Sequence, residues 1–242
     1  MRARGAVRQR TLLGVVDRSD GFHPGRVVIV TGGSRGVGRT AVQRLARLGY
    51  AVAVNYLHDQ QAAEATVDAV LEAHGEAVAI RADVADELDV ERLFAQAIET
   101  FGAIDAVVHS VRGQAVATSV AEATLDDFDE MYRTNTRAMF LVNRCAAGLV
   151  REGGAIVNVF SSVATSAWPF YGVFAANSVA VEMLTHVMSL ELGERDVTVN
   201  GVSLEIDTPC APTVVVDVIA YLLSGDGHGI TGHIIQPGDR SK

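Results

Sequence analysis

The octet Thr31-Gly32-Gly33-Ser34-Arg35-Gly36-Val37-Gly38 directly follows the β-branched run Val27-Val28-Ile29-Val30 and opens a segment with Leu45 and Leu48 on one helical face. A glycine-rich turn between a first buried strand and a first helix belongs to a βαβ unit, and it suits an anion. Glycines there let main chain approach a pyrophosphate closely, while the helix N-terminus offers unpaired N–H groups and a favourable dipole. Glycines used only for a tight turn are the alternative reading of the same residues. The alternation continues along the chain. Ala51-Val52-Ala53-Val54 reads as a second strand, and further strands are predicted over 77–81, 106–109, 156–160, 197–202 and 232–235. Between them, Ala63, Val67, Val70 and Leu71, and then Val90, Phe94, Ala97, Ile98 and Phe101, recur at helical intervals. Short apolar strands alternating with amphipathic helices predict an α/β doubly wound parallel sheet.

Two hundred and forty-two residues, 49% of them apolar, supply one substantial core. The chain is therefore read as one domain over 26–242, preceded by a mobile extension over 1–25 that carries Arg2, Arg4, Arg8 and Arg10 and ends in a loop-like run. An organelle-targeting peptide is the other reading of that stretch, opposed by its scarcity of serine and by Asp17. Twenty Lys and Arg against 29 Asp and Glu leave a net charge of −9, which speaks against nucleic acid as a partner. The apolar stretch over 214–223 is broken by Asp217 and is too short for a bilayer, so no membrane span is expected. Cys145 and Cys210 lack a CxxC spacing and the histidines lack ligand spacing. Neither a disulfide, nor a metal site, nor an oxidising compartment is expected, and the location is read as cytoplasmic.

Thr31 to Gly38 fits the TGxxxGxG motif of the short-chain dehydrogenase/reductase (SDR) family, and the chain resembles that family over roughly 26–239. The resemblance implies a Rossmann-like sheet of seven parallel strands in the order 3-2-1-4-5-6-7, a nicotinamide dinucleotide as cofactor, a small-molecule substrate, and assembly as a homodimer or homotetramer. By the same resemblance Gly32, Ser34, Arg35, Gly36, Val37 and Gly38 cradle the cofactor, Asp83 and Val84 meet its adenine, and His109 and Thr208 complete the cofactor set. Val197-Thr198-Val199-Asn200 resembles the sixth strand, and Ile230-Thr231-Gly232 the turn before the last. A carboxylate at the end of strand two accepts from the ribose of NAD and repels a 2′-phosphate. Asn55 stands there, and Arg35 offers a guanidinium fork in the loop, so NADP(H) is preferred over NAD(H).

The reaction end departs from the family. Aligning Ile156-Val157-Asn158-Val159-Phe160-Ser161 with the fifth strand puts the family's Ser at Ser161, its Tyr at Phe174 and its Lys at Ser178. Phe has no proton to give a developing alkoxide, and Ser178 has no charge to lower a phenol pKa. The family's Asn-Asn-Ala-Gly becomes His109-Ser110-Val111-Arg112, and its Pro-Gly turn after strand six becomes Leu204-Glu205. Thr208-Pro209-Cys210-Ala211 runs almost directly into Pro212, which implies a shortened substrate lid. Three residues are candidates for the remaining chemistry. Asn135 occupies the place of the family's helix-borne Asn, with a structural role as its alternative; Ser161 binds a carbonyl oxygen; and Tyr171, seven residues before Ser178, is either a proton donor or a loop aromatic beside Trp168 and Phe170. His109 at a strand end is either an acid–base group or simply hydrogen-bonded. Two functions are carried forward: an atypical NADP(H)-dependent reductase of a carbonyl or enone, and a non-redox protein on the same scaffold, either a dehydratase or cyclase or a silent binding or partner subunit.

Overall fold

The computed structural model describes residues 23, 25–111, 113, 115, 117–162, 168–205 and 211–238. The expected extension, apart from His23 and Gly25, lies outside these residues, as do Arg112, Thr208 and Cys210. In chain order the elements are β1 (Val27–Val30), α1 (Gly36–Arg47), β2 (Ala51–Tyr56), α2 (Gln60–Glu72), β3 (Glu76–Arg81), α3 (Glu87–Phe101), β4 (Ile104–His109) and α4 (Leu125–Met131). A π-helical turn (Tyr132–Arg137) leads into α5 (Ala138–Leu149), followed by β5 (Val150–Ser162), α6 (Gly172–Glu191), β6 (Thr198–Glu205), α7 (Pro212–Leu222) and β7 (Ile234–Ile235). The seven strands form one parallel sheet in the order β3-β2-β1-β4-β5-β6-β7.

Strand alternation divides the core between the two faces of the sheet. Val28, Val30, Val52 and Val54 pack with Leu45 of α1 and Ile219 of α7. Ile29, Ala53, Val107 and Ile156 pack with Leu93 and Phe94 of α3 and Leu141 of α5 on the opposite face. With both faces covered, β1 is buried at every residue, which is why it reads as an unbroken apolar run. Asp59, Asp86 and Thr124 cap α2, α3 and α4 through side-chain oxygens that accept from Ala62, Asp89 and Asp127 N–H groups.

Every strand but β1 differs from the expected bounds, β2, β3, β4 and β6 by one to three residues at an end, and two of the differences have a visible cause. β5 begins at Val150, before the apolar run, because Val150 still pairs with Ile104 across an irregularity between Ile104 and Ala106. The polar residues Arg151 and Glu152 hide that pairing from a hydrophobicity pattern. β7 is confined to Ile234–Ile235, since Gly232 takes φ +71° and its N–H bonds back to the Val199 carbonyl. Helix α6 is less apolar than the stretch over 214–223 but longer: among the described residues it is the one helix long and apolar enough to cross a membrane. Its buried side, including Phe174, Val181, Thr185 and Met188, belongs to the core instead.

From β1 the chain winds outward to β2 and β3, and it then returns to β4 on the other side. The loops after β1 and β4 therefore part company, and a crevice opens at the carboxyl ends of the strands.

Candidate functional site

A cavity of about 560 Å³ fills that crevice. Gly32, Ser34, Arg35, Gly36, Val37 and Gly38 form its floor, with Asn55 behind them and Asp83 and Val84 opposite. All nine are residues the sequence singled out.

The floor is shaped by backbone. A Cβ on Gly38 would lie 2.3 Å from the Gly32 carbonyl oxygen, so nothing larger than glycine fits where helix α1 crosses its own loop. Gly36 takes φ +55° and has open space where its Cβ would be. Helix α1 then begins with no side-chain cap and no acidic residue in its first turn. Its leading N–H groups and the positive end of its dipole are left for an anion. These features fit the pyrophosphate of a dinucleotide.

Asn55 is buried, and its carboxamide is fully engaged: Oδ1 accepts from Gly32 N–H at 3.3 Å, while Nδ2 donates to the Ala82 carbonyl at 3.0 Å and the Ile80 carbonyl at 3.4 Å. It ties the glycine loop to β2 and β3. The outer rim is formed by residues the sequence reading passed over, Tyr56, Leu57, His58 and Asp59. Asp59 Oδ2 lies 3.6 Å from Arg35 Nη2 across the cavity mouth. Asp59 could have been found from its position just before the helical spacing of α2, where an aspartate caps.

On the opposite wall, Asp83 Oδ2 accepts from Arg133 Nη1 at 2.9 Å and Oδ1 accepts from Ala85 N–H at 2.9 Å. Hydrogen bonds to Asp83 and Glu130 hold the Arg133 guanidinium firmly protonated, above its ordinary range. Arg133 and Thr134 come from the π-helical turn and also line the cavity. Widened turns of this kind often mark functional positions in helices. No period in the sequence announces one.

His109 sits behind this wall, 2% exposed and outside the cavity lining. Its Nδ1 is 3.0 Å from Thr31 Oγ1, which also accepts from Ser110 N–H at 3.0 Å, and its Nε2 has no hydrogen-bond partner among the described residues. Burial pushes its pKa down to about 4. At neutral pH it is an uncharged ring joining the first residue of the glycine loop to the end of β4.

The three reaction candidates lie farther along and are not part of the cavity lining. Asn135 Oδ1 accepts from Gly113 N–H at 2.9 Å and its Nδ2 donates to the Met131 carbonyl at 3.0 Å, which anchors the loop after β4 to the π-helical turn. Ser161 is buried near the end of β5. Tyr171 stands at the start of α6, edge-on to Trp168 with ring centroids 6.4 Å apart. Phe174 packs against Met131 in a small buried cluster. Ser178 Oγ donates toward two main-chain carbonyls, Ser161 at 2.9 Å and Phe174 at 3.0 Å. Arg112 and Thr208 fall outside the described residues.

Residues 26–214 match the short chain dehydrogenase family. The hydroxynaphthalene reductase-like protein Arp2 of Metarhizium majus is 38% identical over 181 residues, covering 74% of this chain and 67% of its own. Versicolorin reductase stcU of Emericella nidulans is 36% identical over 180 residues, covering 74% of this chain and 68% of its own. Among solved structures, a short chain dehydrogenase from Burkholderia cenocepacia J2315 in complex with NADP superposes with a TM-score of 0.82 at 30% identity, covering 88% of this chain and 96% of that one.

Proposed function

This chain belongs to the short-chain dehydrogenase family, and from that membership we propose that it binds NADP(H) in preference to NAD(H) and reduces a carbonyl or conjugated enone without the family's phenol and ammonium. The observation that carries the reading is the uncapped start of α1 beside the open side of Gly36, on the floor of the cavity. The loop N–H groups hold the pyrophosphate, Asp83 and Val84 bound the adenine, and Arg35 meets the 2′-phosphate. The NADP in the Burkholderia relative supports the choice of dinucleotide.

When bound, the dinucleotide supplies the hydride. In this reading neither Phe174 nor Ser178 gives the proton: a phenyl ring has none to give and this one packs against Met131, and the Ser178 hydroxyl is engaged by carbonyls. Protonation is left to water, to Tyr171 or to a group on the substrate. General acid catalysis contributes about 10²- to 10⁴-fold, so ordinary ketones are reduced slowly. Ser161 and Asn135 keep supporting roles, Ser161 toward the carbonyl oxygen and Asn135 by fixing Gly113. Only residues 206–211 separate β6 from α7, which leaves little chain for a lid. The name of the Metarhizium relative and the exposed rings of Trp168 and Phe170 favour a flat aromatic substrate such as a hydroxynaphthalene. Val179, Met183, Val187 and Leu190 form an exposed apolar stripe on α6, consistent with a homo-oligomer.

The test is calorimetric titration with NADPH and NADH, followed by substrate-dependent loss of reduced-nicotinamide absorbance across ketones and enones. Saturable NADPH binding with slow turnover supports the reading. The same Ser178 hydrogen bonds favour a second reading, a dinucleotide-holding protein that performs no redox step, as a dehydratase, a cyclase or a binding subunit. Binding with no turnover on any such substrate selects it, and absence of binding refutes both.

A further inference from the structure

We infer that Asp59 limits how far this chain discriminates NADP(H) from NAD(H), by holding the one loop cation that a 2′-phosphate needs. The inference rests on the reading that the cavity takes a dinucleotide. Arg35 and Asp59 line the same cavity mouth, with Arg35 Nη2 3.6 Å from Asp59 Oδ2 and side chains 71% and 43% exposed.

The two partners are not equally free. Asp59 is the N-cap of α2, and its Oδ1 accepts from Ala62 N–H at 3.0 Å, so its carboxylate is fixed to the start of that helix. Arg35 is the N-cap of α1 but contributes no side-chain cap bond, and its long side chain is mostly exposed. A phosphate arriving at this rim therefore draws Arg35 off Asp59, and the carboxylate stays behind as a like charge beside the new anion.

For a plain ribose the same carboxylate acts in the opposite sense. It lies beyond β2 rather than at the strand-end position that Asn55 fills, but it lines the same cavity and can accept from a 2′-hydroxyl. Asp59 thus opposes the 2′-phosphate twice, by occupying Arg35 and by its own charge, and offers the 2′-hydroxyl an acceptor. Asn55 cannot set this balance, because its carboxamide is spent on Gly32 and on the Ile80 and Ala82 carbonyls. The discrimination follows from one exposed ion pair at the cavity rim.

Asp59→Asn separates charge from structure, since Asn caps a helix about as well as Asp. The measurement is calorimetric Kd for NADPH and NADH at low ionic strength on the full chain, for wild type, Asp59→Asn, Arg35→Gln and the double variant. Thermal melting verifies each fold, and Asp59→Ser serves as a second capping variant. Asp59→Asn is expected to tighten NADPH roughly fivefold and to leave NADH unchanged or weaker, and the gain shrinks in the Arg35→Gln background. Equal effects on the two dinucleotides, no effect, or the same gain without Arg35 overturns the inference while the dinucleotide reading stands. Failure of wild type to bind either dinucleotide removes that reading and the inference with it.

Discussion

At the β1–β2 end of the cleft, main-chain N–H groups stand open at the start of α1, and a glycine is required at position 38 because a Cβ there would lie 2.3 Å from the Gly32 carbonyl oxygen. At the β5–α6 end, a phenyl ring is packed away and a serine hydroxyl is bonded to two carbonyls. The first end works through the course of the chain, and the second depends on what particular side chains carry. Backbone binding survives any substitution that preserves the turn. Proton transfer is lost with a single hydroxyl. One fold can therefore keep its grip on a ligand while its chemistry changes, and the two properties must be tested apart.

The largest contrast should come from installing the phenol and ammonium that the proposed function does without. Phe174→Tyr with Ser178→Lys is expected to raise ketone reduction by about 10²- to 10⁴-fold while leaving the Kd for NADPH within about threefold. Steady-state rates and calorimetry on the same preparation measure both. No gain in rate would shift the deficit to the Leu204-Glu205 turn and the short connection over 206–211.

Gly38→Ala attacks the other end. The added methyl meets the Gly32 carbonyl, so the loop must move away from the helix, at a cost of about 1–3 kcal/mol in stability and about 10- to 100-fold in NADPH affinity. Denaturant titration and calorimetry read the two effects. Unchanged affinity would mean that the glycine floor does not hold the ligand.

His109 lies between the two ends, and its burial makes the joint sensitive to acid. Below about pH 6.5 an unfolded chain takes up a proton that the folded ring refuses until about pH 4. Stability is therefore complete above that window and falls as pH drops through it, by on the order of 3 kcal/mol. Urea unfolding at about pH 7 and about pH 4.5 measures the loss, and His109→Asn is expected to flatten it. A pH response unaltered in that variant would assign the acid sensitivity elsewhere.

Asn55→Asp is the smallest of these perturbations and the most discriminating. A carboxylate has no N–H for the Ile80 and Ala82 carbonyls, so stability falls by about 1–3 kcal/mol and both dinucleotides weaken together. Sequence reasoning alone expects an acidic residue at this position to act against the 2′-phosphate only. A selective loss of NADPH would restore that expectation and move the discriminating charge back from Asp59.

The contrast also explains what could be read in advance. Buried parallel strands announce themselves as apolar runs such as Val27-Val28-Ile29-Val30, and the glycine loop is bound to its place by chain order, so the sheet and the cavity floor were within reach. Asp59 escaped notice because a cap and a ligand contact call for the same residue type, and only the fold brings it to Arg35. Arg133 and Thr134 were hidden because a π-helical turn shifts side chains without any change of composition. The engagement of Asn55 was hidden too, since the partners of a buried amide are carbonyls from a neighbouring strand.

The decisive measurement sets wild type beside the Phe174→Tyr/Ser178→Lys protein: calorimetric binding of NADPH and NADH together with the rate of hydroxynaphthalene or simple ketone reduction at saturating NADPH. Saturable binding of NADPH, tighter than that of NADH, with reduction at least about 10²-fold slower than in the Phe174→Tyr/Ser178→Lys protein, is the predicted result. Absence of NADPH binding, or rapid wild-type reduction that the double change does not improve, contradicts it.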